Sequence, residues 1–286
     1  MKKSTFLHLR IPFSFFLLPV FLFASASSDG FSWIDFWLVF FILHFLLYPA
    51  SNGYNSYFDR DESSIGGLKN PPPVNLELFY VSWVMDILAI GIGLVISWQF
   101  SLMLFFYGMV SKAYSHPAVR LKKMPFIGWL AAGIFQGYFT FLMVWLALVG
   151  ANFDELFNWK VQVGGILSTM LLFGSYPMTQ VYQHDEDSKR GDRTISLVLG
   201  IKGTFHFTAA FFTLSVAMFM WYFLTYWSIQ LSMLFAGTLG PVLIYFGWWY
   251  WQVRKDQSLV DFDHTMKLNF ISSVCLNLFF IYLLLN

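Results

Sequence analysis

Long apolar segments recur along almost the whole chain, and they constrain the fold more than any other feature. A membrane-spanning helix needs about 20 consecutive, largely apolar residues, and the 286-residue sequence contains nine candidates. They are roughly residues 6–26, 33–54, 80–98, 102–114, 126–150, 163–182, 204–227, 231–251 and 268–285. Because 57% of the residues are hydrophobic and only 12% are charged, an ordinary soluble domain is excluded. The sequence predicts one all-helical, integral, multi-pass membrane domain over residues 1–286.

The basic residues predict how this domain is oriented. If the N-terminus is cytoplasmic, every one of the 17 Lys and Arg residues except Lys160 falls on the cytoplasmic side. The positive-inside rule therefore favours a cytoplasmic N-terminus and an outside C-terminus, in the cytoplasmic membrane if the source is bacterial. Since membrane topology accounts for these basic residues and the net charge is only +1, no nucleic-acid partner is expected.

Two polar segments follow apolar segments, both on the predicted cytoplasmic side. The first, residues 52–72, reads NGYNSYFDRDESSIGGLKNPP, and the second, residues 180–194, reads QVYQHDEDSKRGDRT. On α-helices, the spacing places two sets of residues on one face each: Asn52, Asn55, Asp59 and Glu62 in the first, and Tyr176, Gln180, Gln183 and Asp187 in the second. Carboxylates suited to a divalent cation, with basic residues nearby for anionic oxygens, are what a bound diphosphate requires.

A third segment, residues 113–133, reads AYSHPAVRLKKMPFIGWLAAG and can be interpreted as an ordinary positive-inside loop. With the other two, however, it resembles the UbiA-type intramembrane prenyltransferases over nearly the whole chain. It is similar to that family's YSxPPxRLKxxPxxG loop, and Lys69, Asn70 and Pro71 resemble the family's basic segment before a proline. The DxxxGxxT and LG pattern of the family's second motif is matched by Asp187, Gly191, Thr194, Leu199 and Gly200.

This resemblance implies nine transmembrane helices around a central cavity, in pseudo-repeats of roughly residues 1–125 and 126–286. It implies a Mg²⁺-dependent transfer of a prenyl group from an isoprenyl diphosphate to a lipophilic acceptor, of an aromatic or quinone type. The implied metal ligands are Asn55, Asp59, Glu62, Gln183 and Asp187, and the implied catalytic residues are Asp59, Asp187, Lys122 and Arg193. The implied substrate-binding residues are Asn52, Asn55, Lys69, Arg120, Tyr176, Gln180, Tyr182 and Gln183.

The chain also departs from the family pattern. Gln183 replaces the leading aspartate of the second motif, and the first motif has lost its NDxxD form. Alignment on Asn55 is favoured over Asn52, because it keeps a carboxylate, Asp59, one turn beyond the asparagine. These exchanges motivate an alternative, a non-catalytic protein that binds or transports an isoprenoid or quinone-like lipid. A secondary transporter is a third hypothesis, but it predicts more intramembrane charge than Asp86 alone.

Other segments allow two interpretations each. The first 28 residues also fit a cleaved signal peptide, because Lys2 and Lys3 precede an apolar stretch that ends in the small residues 24–28. We favour the interpretation that this segment is retained, because Arg10 and Pro12 fit the first helix of the family. The remaining polar residues have either a functional or a structural interpretation: Asp86, His44, His184, His206, Asp261, Asp263 and His264.

Overall fold

A computed structural model describes residues 1–28 and 30–286, and long helices dominate this part of the chain. They are α1 (Lys3–Ala26), α2 (Trp33–Asp59), α3 (Leu76–Gly93), α4 (Trp98–Ser115), α5 (Pro125–Val149), α6 (Trp159–Ser175), α7 (Ile195–Tyr226), α8 (Ile229–Lys255) and α9 (Phe262–Leu285). Seven of them are long and apolar enough to cross a membrane by length and composition. The shorter α4 and α6, of 18 and 17 residues, complete the bundle. The prediction of an all-helical membrane protein with nine spans is confirmed, whereas the two pseudo-repeats stay a prediction.

Several of these helices are locally irregular. In α1, Arg10 adopts a left-handed conformation, with φ of 48°, and residues Ile11–Leu17 continue as a 3₁₀ helix. Both α2 and α5 contain a π-helical turn, at Ile42–Leu47 and Ile134–Phe139. A backbone amide freed inside a membrane needs another partner; in α5 the amide of Tyr138 donates to Oγ1 of Thr169 at 2.8 Å. Gly200, with φ of 67°, interrupts α7.

The segment after α6 differs from the sequence prediction. We expected an apolar helix over residues 163–182, with its polar continuation on one face of a single α-helix. Instead α6 ends at Ser175, and the chain continues as two 3₁₀ turns, Tyr176–Thr179 and Val181–Gln183, and a short α-helix, His184–Arg190. The α-helix gives way to a 3₁₀ turn at this point because Pro177 has no amide hydrogen to donate in a helical hydrogen bond.

The first polar segment also breaks earlier than expected. Helix α2 ends at Asp59, because Arg60 adopts a left-handed conformation with φ of 50°. Glu62 therefore lies beyond the helix, and the prediction that it shares a helical face with Asn55 and Asp59 is wrong.

The connections α2–α3, α4–α5, α6–α7 and α8–α9 lie at one end of the bundle, here called the motif end, because contacts join them there. Arg120 reaches Asp192 across this end, and Lys69 pairs with Asp263. Short 3₁₀ turns lie in the α4–α5, α5–α6 and α8–α9 connections, at Leu121–Lys123, Glu155–Phe157 and Gln257–Leu259.

Aromatic side chains fill the half of the bundle away from the motif end. Phe23 of α1 is 1% exposed and packs against Phe141, Phe219, Phe223 and Phe280, at ring-centroid distances of 4.9 to 6.3 Å. Such close aromatic packing excludes water and leaves little free volume. The open space therefore lies in the half of the bundle next to the motif end.

Candidate active site

A cavity of about 220 Å³ opens at the motif end among helices α1, α2, α4, α5 and the segment after α6. Its outer part is lined by the carboxylates Asp59, Asp61, Asp187 and Asp192, the cations Arg10, Lys122 and Arg190, and the amides Asn52, Asn55, Gln180 and Gln183. Its inner part is lined mainly by Tyr107, Val110, Ala131, Ala132, Phe135 and Gln136. The cavity thus has a charged mouth and a largely apolar interior.

Three of the four carboxylates contact basic side chains. Nζ of Lys122 lies 2.5 Å from Oδ2 of Asp59. Asp192 accepts two hydrogen bonds from Arg120, at 2.9 and 2.8 Å. Asp61 is paired with Arg190. Burial opposes ionisation of Asp192, but the hydrogen bond from Arg120 and the nearby charge of Lys122 lower its pKa below the usual value.

Asp187 is the carboxylate of this group without such a partner. Within the described residues, no Lys or Arg nitrogen lies within 4.0 Å of Asp187, and its carboxylate accepts a hydrogen bond from Oγ1 of Thr194 at 3.2 Å. Burial raises the pKa of Asp187 to about 6, even though the charge of Lys122 opposes this shift. Such a carboxylate would gain from a bound cation.

The amide side chains are oriented by hydrogen bonds that use their NH₂ groups. Nδ2 of Asn55 donates to Oγ of Ser115 at 2.9 Å, and Nε2 of Gln183 donates to the carbonyl of Ser64 at 3.0 Å. Oε1 of Gln180 is buried without a hydrogen-bond partner in the described structure. Oxygen atoms at the cavity therefore stay available for a ligand.

Further contacts join the two polar segments directly. Glu186 accepts hydrogen bonds from the backbone amides of Glu62 and Ser63, at 3.0 and 3.2 Å. Arg190 lies 2.8 Å from Oε1 of Glu186 and also pairs with Asp61. The sequence prediction that both segments share one site agrees with this geometry.

The residues singled out from the sequence are not all placed at the cavity. Asn52, Asn55, Asp59, Lys122, Tyr176, Gln180, Gln183 and Asp187 line it. Arg120 contacts it through Asp59 and Asp192. The structure places four others away from the lining: Glu62, Lys69 and Arg193 are exposed, and the ring of Tyr182 packs 5.7 Å from that of Phe262. The functional roles assigned to all these residues stay predictions.

The structure also places the residues with two interpretations. Asp86 pairs with Lys112 between α3 and α4. Nε2 of His184 lies 2.8 Å from Oγ of Ser196. His44 and His206 contact aromatic rings. Asp261 caps α9 by accepting from the amide of His264.

Four charged residues of the cavity were not singled out from the sequence: Arg10, Asp61, Arg190 and Asp192. Arg10 is buried, with 9% of its surface exposed, and donates to the carbonyl oxygens of Gly66 and Asn52, at 3.0 and 3.2 Å. A charge inside an apolar segment and two residues before a proline was the available signal for Arg10. Asp61, Arg190 and Asp192 lie close in the sequence to residues that were singled out. The turns at Arg60 and Gly191 decide which of these charged side chains face the cavity.

A bundle of membrane-spanning helices with a cavity lined by carboxylates and basic side chains at one end places the chain among multi-pass intramembrane proteins with a polar site inside an apolar bundle. The chain belongs to the UbiA prenyltransferase family, whose model matches residues 16–271.

Solved structures show the same fold. A UbiA homologue from Aeropyrum pernix K1 is 19% identical with a TM-score of 0.72, over 95% of this chain and 98% of that one. A UbiA homologue from Archaeoglobus fulgidus bound to DMAPP and Mg²⁺ is 15% identical with a TM-score of 0.69, over 99% of each chain. The same homologue bound to GPP and Mg²⁺ gives 14% and 0.67, over 99% of this chain and 100% of that one. No curated protein sequence matches significantly.

Proposed function

We propose that the chain is a Mg²⁺-dependent prenyltransferase, which moves a prenyl group from an isoprenyl diphosphate to a lipophilic acceptor of an aromatic or quinone type. The observation that carries this proposal is the cavity itself, because Asp59 and Asp187 meet Lys122, Arg190 and Arg10 at the mouth of an apolar interior. Membership of the UbiA family supports the same reaction, as do the DMAPP and GPP complexes of the archaeal homologue.

The residues present fit a magnesium ion that is held together with a diphosphate. Among the described residues, no three His, Cys, Asp or Glu side chains converge into a metal-binding group. Magnesium, however, is commonly bound through one or two carboxylates and the phosphate oxygens of its substrate. Asp187 has no basic partner within 4.0 Å, and Oδ1 of Asp59 and Oε1 of Gln180 are buried without hydrogen-bond partners in the described structure. We infer that these oxygens and that of Asn55 hold the ion.

The basic side chains of the cavity bind and neutralise the rest of the diphosphate. Lys122 and Arg190 already lie against Asp59 and Asp61, so an incoming anion meets cations that are held in place. Bound magnesium supplies Lewis-acid stabilisation of the leaving diphosphate. Fixed positive charge aimed at a leaving group stabilises the transition state because it needs no reorganisation during the reaction.

The interior of the cavity protects the cationic prenyl group. The carbon–oxygen bond to the diphosphate breaks with its electron pair on the diphosphate, an acceptor carbon forms the new bond, and the acceptor loses a proton. Phe135 and the hydrogen-bonded pair Tyr114 and Tyr176 line the cavity, where their ring faces stabilise positive charge. Apolar walls keep water from quenching the cation.

A second function, binding or transport of an isoprenoid or quinone-like lipid without catalysis, is favoured by one observation. Gln183 stands where the family pattern has an aspartate, and its NH₂ group is used in a structural bond to Ser64. In that case the cavity would bind the lipid without forming a product.

A product assay on the purified protein tests both functions. The protein is incubated with isoprenyl diphosphates, a set of aromatic and quinone-type acceptors, and either Mg²⁺ or a chelator. Transfer that needs Mg²⁺ and is reduced by at least about 100-fold in Asp187→Asn supports the enzyme. Asp185→Asn is the matched control, because Asp185 is exposed on the same short helix and does not line the cavity. If the protein binds the isoprenyl diphosphate but forms no prenylated product with any of the acceptors, the result supports the lipid-binding function.

A further inference from the structure

Asp192 is the most deeply buried of the carboxylates at the mouth of the cavity. It is 1% exposed, whereas Asp59 and Asp187 are each 8% exposed. Its backbone amide donates to the carbonyl of Asp187 at 2.9 Å, directly after Gly191, whose left-handed conformation ends the short helix with φ of 72°. This turn ties Asp192 to the helix that carries Asp187. A carboxylate at such depth also needs a partner for its charge.

That partner is Arg120, in the connection between α4 and α5. Nε and Nη2 of Arg120 donate to the two carboxylate oxygens of Asp192, at 2.9 and 2.8 Å. Two parallel hydrogen bonds of this kind fix direction as well as distance. The backbone of Arg120 is left-handed, with φ of 47°, which is uncommon for a residue other than glycine. Such a conformation persists where surrounding contacts hold it, and Asp192 supplies two of them.

The position of Arg120 affects Lys122, a cation that lines the cavity. Arg120 directly precedes the 3₁₀ turn Leu121–Lys123, which carries Lys122. Nζ of Lys122 lies 2.5 Å from Oδ2 of Asp59 and 3.6 Å from Oδ2 of Asp192. A lysine side chain is flexible, with a charge concentrated at its tip, so its place depends on the turn and on the carboxylates around it. Asp192 contributes to both.

We propose that Asp192 is a positioning residue, which binds Arg120 and thereby holds the turn that presents Lys122 to the diphosphate of the donor. This inference rests on the proposed function, since the diphosphate is the ligand that Lys122 meets. Positioning and charge alone predict opposite effects. A carboxylate beside an anion repels it, so charge alone predicts that removing Asp192 tightens donor binding. Positioning predicts weaker binding, because a cation held in place becomes mobile.

The test is equilibrium binding of geranyl S-thiolodiphosphate, a donor analogue that resists ionisation, to the purified protein with Mg²⁺. Asp192→Asn keeps the size of the side chain and removes its charge. It should raise Kd at least about tenfold, the value of one hydrogen bond to a charged group. Arg120→Lys keeps the positive charge but loses the two-pronged contact, and it should raise Kd as well. The double variant should bind about as well as Asp192→Asn, because both substitutions remove the same contact.

Further variants separate positioning from a general loss of structure. In a Lys122→Met background, Asp192→Asn should change Kd little, because the residue through which it acts is absent. A protein that is only less stable has fewer binding sites with an unchanged Kd, and the same titration measures both quantities. Asp185→Asn removes an exposed carboxylate from the same polar segment and is the matched control, which should keep the wild-type Kd.

The outcomes separate this inference from the proposed function. If Asp192→Asn binds the analogue as tightly as the wild type, or more tightly, Asp192 does not position Lys122, and the proposed function stands. An equal rise in Kd with and without Lys122 leads to the same conclusion. If the wild-type protein does not bind the analogue in a Mg²⁺-dependent manner, the proposed function fails, and this inference fails with it. If Asp192→Asn does not fold, Arg120→Lys with and without Lys122→Met decides.

Discussion

The buried ion pair between Asp86 of α3 and Lys112 of α4 allows a quantitative prediction about stability. Each side chain is 5% exposed, and Oδ1 of Asp86 has no hydrogen-bond partner in the described structure. Nζ of Lys112 also lies 5.0 Å from the ring centroid of Tyr54 and 5.3 Å from that of Trp83. The ammonium group thus has two aromatic partners besides the carboxylate, whereas the carboxylate depends on the ammonium group.

This asymmetry predicts different costs for the two single substitutions. Removing one partner of a buried pair costs about 3–5 kcal/mol, because a charge is left without compensation. In Asp86→Asn the two rings still stabilise Lys112, by about 0.5–2 kcal/mol. In Lys112→Met nothing comparable stabilises Asp86, so we expect this variant to be the less stable one. The double variant should be closer to wild type than either single, with a coupling of at least about 2 kcal/mol.

Thermal unfolding of the purified protein in detergent measures these differences. For a chain of this size, 1 kcal/mol shifts Tm by about 2–4 °C, so Lys112→Met should lower Tm by about 10 °C, whereas Asp86→Asn should lower it less. Additive losses in the double variant would show that the two side chains are not coupled. A larger loss in Asp86→Asn than in Lys112→Met would refute the role of Tyr54 and Trp83.

Two further predictions concern orientation and the motif end. A reporter fused after Asn286 should be found outside the cytoplasm and one inserted at residues 256–261 inside it; finding both on the same side would contradict the predicted topology. Glu186→Ala removes the acceptor of the Glu62 and Ser63 amides and should speed proteolysis within residues 60–70 several-fold, since an opened segment is cleaved more readily. Asp185→Ala is the matched control for this variant, and equal cleavage of both would show that Glu186 does not hold the segment.

The sequence predicts the architecture well because the membrane imposes a strong pattern. Apolar segments of spanning length follow from the thickness of the bilayer, and the helices of the structure match them apart from the sixth, which ends at Ser175. The orientation predicted from the one-sided basic residues stays a prediction. The meeting of the two polar segments was likewise predictable, because both follow helices that end on the same side. Single residues such as Asn55, Asp59 and Asp187 could be placed at the cavity on this basis.

The sequence does not predict the details that depend on local breaks in helices. Glu62 was expected to share a helical face with Asp59, but the left-handed residue Arg60 ends the helix between them. Arg10 was assigned to an ordinary first helix, yet the chain turns there and the guanidinium group enters the cavity. Helical periodicity identifies a residue's face only while the helix continues, and the energies that end a helix depend on tertiary contacts.

Gln183 combines a structural contact with a position in the cavity, and the two roles predict separate effects for one substitution. Gln183→Asp loses the donor to the Ser64 carbonyl, which costs about 0.5–1.5 kcal/mol and should lower Tm slightly. It also adds a negative charge near Asp187, which should tighten Mg²⁺-dependent binding of an isoprenyl diphosphate by at least about tenfold, or 1.4 kcal/mol. Gln183→Leu loses the same donor without adding charge, so it should lower Tm without tightening binding. Lower stability in both variants with no gain in binding for Gln183→Asp would show that Gln183 only links the two polar segments, and would favour the lipid-binding function over the enzyme.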